Sequence, residues 1–140
     1  MKTPKNVLYR LAGLLAAACT PAYATVAIVS LSPSSTSPQP LGTSITWTAT
    51  ATDSGKGPLT FQFNVAQPSG SLALVEDFNV GTRSAGNWTS QPFVWVPTIG
   101  EGAYEIQVVI KDFASGESAS QTAKFIVTPL VTGSTPVVTR

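Results

Sequence analysis

The chain has 140 residues, 43% of them hydrophobic and only 11% charged, with a formal net charge of +1, no histidine and one cysteine. The missing histidine removes every Ser–His or Cys–His nucleophile pair, and the low, balanced charge leaves no basic footprint for nucleic acid.

In chain order, the first 24 residues read as an export signal and not as part of a fold. Lys2, Lys5 and Arg10 form a positive start, and "LAGLLAAAC" (11–19) is an apolar run too short to span a bilayer. "TPAYA" follows with small residues at Ala22 and Ala24, so cleavage is expected after Ala24, releasing the protein to a bacterial periplasm or beyond. Cys19, after Ala16-Ala17-Ala18, resembles a bacterial lipobox without its usual leucine. Acylation there, giving an anchored lipoprotein, stays the alternative. Without it no membrane association is expected once the signal is removed. Cys19 is the only cysteine and there is no histidine, so the rest of the chain has no disulfide and neither of the usual zinc and haem ligands, and it must stand on its hydrophobic core.

After the signal no segment shows helical periodicity. What recurs is alternation with period two, broken by Ser, Pro, Gly and Asp about every ten residues. "TVAIVSL" (25–31) opens a strand, and "SPSSTSPQPLG" (32–42), with three prolines, reads as an extended edge or loop. The strand over 43–53 points Ile45, Trp47, Ala49 and Ala51 inward and Thr46, Thr48, Thr50 and Thr52 outward. "LTFQFNV" (59–65) buries Leu59, Phe61, Phe63 and Val65 and leaves Thr60, Gln62 and Asn64 to water. A less regular strand is expected over 72–80, then a polar stretch, "GTRSAGNWTSQ" (81–91). "PFVWV" (92–96) places Phe93 and Trp95 inward. The clearest strand follows, with Tyr104, Ile106, Val108 and Ile110 inward, and "ASQTAKFIV" (119–127) closes with Ala123, Phe125 and Val127. The reading is all-β: a two-sheet, immunoglobulin-like β-sandwich of about seven antiparallel strands over 25–128, with a linker-like tail over 129–140.

Trp47, Trp95 and Tyr104 are the structural landmarks. Tyr104, just after "GEGA", stands where such sandwiches hydrogen-bond a tyrosine back to the backbone at the corner between two strands. Glu76 and Asp77 are adjacent on a strand and leave by opposite faces, which argues against a cooperating acid–base pair. No cofactor and no catalysis are expected. Two weaker sites are weighed. Asp53, Asp112 and Glu117 fall on loops at one pole and could hold Ca²⁺, against the simpler role of capping turns. Trp88, with Arg83 and Asn87 beside it in the polar stretch, could stack on a sugar or anchor a protein partner, against folding back over the sandwich edge.

"ITWTATATD", "LTFQFNV", "FVWVP" and "GAYEIQVVIKD" together resemble the immunoglobulin-like and fibronectin-III-like modules of exported bacterial proteins. They are similar to the three-Tyr modules beside bacterial sensors and to N-terminal immunoglobulin-like domains of proteins related to aryl-sulfate sulfotransferases. Antibody-type domains carry a Cys two residues after the tyrosine, where this chain has Ile106. The resemblance implies a fold and a non-catalytic structural or binding module, a spacer or a contact for protein or glycan. The other reading is a leading accessory domain of a larger exported enzyme or receptor. Fold alone does not choose between them.

Overall fold

A computed structural model describes residues 25–55 and 57–130. The expected signal segment, with Cys19 and the cleavage position after Ala24, and tail residues 131–140 lie outside the described residues. Among those described, every regular element is a strand: β1 (Val26–Pro33), β2 (Gln39–Pro40), β3 (Ile45–Asp53), β4 (Leu59–Ala66), β5 (Ala73–Val80), β6 (Thr82–Ser84), β7 (Asn87–Thr89), β8 (Phe93–Trp95), β9 (Gly102–Asp112) and β10 (Ser118–Thr128). One sheet runs β1-β3-β7-β6, with β8 also paired to β3. The other runs β2-β10-β9-β4-β5. The two face each other across a shared core, which makes a two-layer β-sandwich.

The strand count is ten, not about seven, for three physical reasons. The proline-rich segment contributes β2, which pairs in parallel with β10, so the sheets are not purely antiparallel. The polar stretch after β5 forms a hairpin, β6–β7, instead of a loop. Its two turn residues, Ala85 and Gly86, both have positive φ (48° and 86°), the geometry that matches the twist of a two-residue hairpin. Finally, β7 and β8 both lie along β3 but are separated at Ser90–Pro92. At that break the Ser90 N–H donates to the Ala49 carbonyl (2.9 Å) and the Ser90 Oγ accepts the Ala49 N–H (3.0 Å). A side-chain oxygen thus replaces a backbone partner, and no buried donor of Ala49 is orphaned.

The core follows from alternation. On β3, Ile45, Trp47, Ala49 and Ala51 are buried and the intervening threonines are half-buried. On β4, Leu59, Phe61, Phe63 and Val65 are buried, and on β9 Tyr104, Ile106, Val108 and Ile110. Each large side chain contributes about 1.5–3 kcal/mol when fully removed from water. Thr60 departs from the expected pattern: it is buried, because its hydroxyl donates to the Lys111 carbonyl (2.9 Å). Aromatic rings bridge the layers edge to face, Trp47 and Trp95 each with Phe125 at 5.8 Å between centroids. Phe63 and Phe93 stack at 4.9 Å. The Trp47 indole N–H is buried without a hydrogen-bond partner among the described residues.

Between β8 and β9 the chain crosses from one sheet to the other. The Tyr104 hydroxyl donates to the Gly100 carbonyl four residues upstream (2.7 Å), and its ring meets Trp95 edge to face at 5.1 Å. The Pro97 carbonyl accepts the Gly42 N–H (2.8 Å), fixing the same crossing from the other side. Gly102, with φ of 130°, lets β9 start against Pro68, whose Cγ would lie 2.8 Å from any added Cβ.

Candidate functional site

The residues singled out for binding fall on the β6–β7 hairpin. Trp88 stands on β7 opposite Ala51, half-buried and packed against the core, not in a loop. Arg83, its partner across the hairpin, holds its guanidinium 5.8 Å from the Trp88 ring centre. Asn87 is exposed beside the turn. The hairpin forms because a two-residue turn lets short polar strands pair, and it uses Trp88 as its inward anchor.

The three carboxylates suggested for Ca²⁺ each accept a backbone N–H. Asp112 closes the β9–β10 turn: its Oδ1 accepts the Ala114 N–H (2.7 Å) and its carbonyl accepts the Gly116 N–H (2.8 Å). Hydrogen bonds, first from the Ser115 hydroxyl and then from the Ala114 N–H, hold the Asp112 carboxyl below the usual aspartate range despite its burial. Asp53 accepts the Gly55 N–H (2.9 Å) in the β3–β4 turn, and Glu117 accepts the Val26 N–H (3.2 Å) at the start of β1. Among the described residues no three Asp, Glu, His or Cys side chains converge into a metal-binding group.

A different feature gathers at the crossing after β8. A hollow of about 180 Å³ opens between the sheets, lined on one side by Val65, Ala73 and Val75 from β4 and β5. Tyr104 of β9 belongs to that same sheet, Trp95, Val96, Pro97, Thr98 and Ile99 line the other side, and Gln67 also contributes. None of these side chains is charged. Apolar residues around it face solvent: Val75 is 48% exposed, Val96 42% and Ile99 73%. The hollow exists because β6, next to β7, is only three residues long and does not extend along β8. The part of β5 opposite β8 therefore has no strand across from it on that flank. Val96 closes the strand read over 92–96 and Ile99, beyond Pro97, falls in no strand, so alternation marks neither as part of a site. The available signal was the run "LALV" (72–75), apolar without alternation and hence not absorbed by one buried face.

Chemically, the hollow offers apolar surface and strand edges, with no nucleophile–base pair among its lining residues. No protein-family model and no curated protein sequence matches the chain.

Proposed function

We propose that this chain is an exported, immunoglobulin-like module that acts by contact and not by catalysis, and that its contact surface is the open flank between β5 and β8. The observation that carries the reading is the uncharged hollow beside Val75, Val96 and Ile99, three apolar side chains left in water where a buried layer would be expected. The immunoglobulin-like character is supported by the division of strands between two sheets, by β2 running parallel to β10 and by the Tyr104–Gly100 hydrogen bond at the crossing.

The test is a ligand screen of the purified chain against immobilised glycans and peptides, alongside the double variant Val75→Asp, Ile99→Asp. Both positions are exposed, so the variant should melt with the parent protein. Binding that falls about tenfold or more in the variant supports the reading. Silence toward both ligand classes, or turnover of a substrate by the purified chain, contradicts it.

A further inference from the structure

Sheet edges are the places where a fold with unpaired backbone groups accepts another chain. Two such edges border the hollow, and they differ. The free edge of β5 is blunted at its far end: the Phe78 N–H donates to its neighbour Asp77 Oδ1 (2.8 Å), and the Asp77 carbonyl accepts the Asn79 amide (3.1 Å). Its pairing with β4 also slips in register twice, which twists the edge away. The edge of β8 carries no such protection. β8 pairs with β3 through Phe93, Val94 and Trp95, and among the described residues no strand pairs with its other side. Pro92 and Pro97 bracket it, which limits what it can accept to a short strand.

The place beside β8 is where a longer β6 would run. A strand laid there would send alternate side chains inward, next to Trp95 and across from Ala73 and Val75, into the hollow. The volume suffices for an apolar side chain, since about 150 Å³ holds a benzene-sized group. The surroundings also select charge. No Lys or Arg lines the hollow, while Glu76 directly follows Val75 and Glu101 lies two residues past Ile99. A peptide with an apolar centre and a basic flank is complementary to that rim.

Resting on the contact reading above, we infer that β8 takes up an extended peptide segment of another protein, added as a strand to the sheet, with alternate apolar side chains in the hollow and Lys or Arg facing Glu76 and Glu101. Backbone hydrogen bonds supply affinity and the hollow supplies selectivity, as in other strand additions.

The experiment is panning of a phage-displayed library of random dodecapeptides on the immobilised full chain, followed by binding measurements on the enriched peptides. The expected consensus has apolar residues at alternate positions, at least one flanking Lys or Arg, and no proline within the apolar run. Val75→Asp with Ile99→Asp should weaken these peptides about tenfold or more. Val29→Asp, at an exposed position on the opposite flank, should leave them unchanged. Failure to enrich any consensus overturns the inference, as does a consensus whose binding ignores the double variant. A parent chain that is dimeric, and that the double variant makes monomeric, also overturns it, because the edge would then belong to a second copy. A parallel glycan array separates the two levels. Glycan binding that falls in the double variant while no peptide consensus is enriched refutes strand addition but leaves the contact reading standing, whereas silence toward peptides and glycans alike refutes both.

Discussion

Replacing Tyr104 by Phe removes one oxygen and leaves the ring against Trp95. The lost bond is the 2.7 Å donation to the Gly100 carbonyl, which holds the crossing between the sheets to the start of β9. Gly100 is only half-buried, so water can rehydrate its carbonyl once the hydroxyl is gone. The cost should therefore sit near the middle of the usual range for a neutral hydrogen bond, about 1 kcal/mol, and not near the full penalty of an orphaned buried group. In urea this moves the midpoint down by roughly 0.3–1 M without altering the slope, given slopes of about 1–3 kcal/mol per molar. Thermal unfolding falls by roughly 4–8 °C for a domain of about 100 residues. Tyr104→Ala, which also removes a fully packed ring, should cost about 3–5 kcal/mol. An unchanged midpoint for Tyr104→Phe would refute the view that this bond fastens the corner. A loss as large as that of Tyr104→Ala would show that the ring position depends on the hydroxyl.

Ser90→Ala strips the acceptor from the buried Ala49 N–H and should cost about 1–3 kcal/mol in chemical denaturation, while Ser90→Thr, which keeps the oxygen, should recover part of it. Gly81→Ala would drive a Cβ into the Phe61 ring and to 2.8 Å from the Thr89 carbonyl oxygen, so a loss of about 1–3 kcal/mol or more is expected by the same assay. Ala85→Asn relieves a left-handed alanine at the exposed hairpin turn and should raise stability by about 0.5–1 kcal/mol. Asp112 has its carboxyl lowered in the folded state, so its charged form favours folding. That contribution is complete above the ordinary aspartate value and disappears as pH falls through the lowered folded value. Acid titration of stability should accordingly be shallower in Asp112→Asn than in the parent, which circular dichroism from neutral to acidic pH would measure.

The central strands were legible because one physical rule governs them. On β3, β4 and β9 a buried face and a wet face alternate, so Ile45, Trp47, Phe61, Phe63, Ile106 and Val108 announce themselves at period two. Thr60 broke the rule only because a hydroxyl can be buried when a carbonyl, here that of Lys111, accepts it. The β6–β7 hairpin was hidden for two reasons. Its turn is Ala85-Gly86 without the usual Asn or Asp signal, and its strands are too short to show a period. The break at Ser90 was hidden because a serine side-chain oxygen replaced a backbone acceptor, a substitution visible only in three dimensions. The hollow was least legible of all. It is set by where β6 stops and by residues of β5 and of the crossing after β8, which come together only when the sheets stack.

The central claim, that the sandwich keeps an open strand edge along β8 for a partner, is tested most directly by residue-resolved amide hydrogen exchange of the full chain, alone and with an enriched peptide. Alone, the outward amides within Phe93–Val96 should exchange far faster than those of β3 and β9, and the peptide should slow them about tenfold or more. Outward amides already protected in the free protein, or amides indifferent to bound peptide, would contradict the claim.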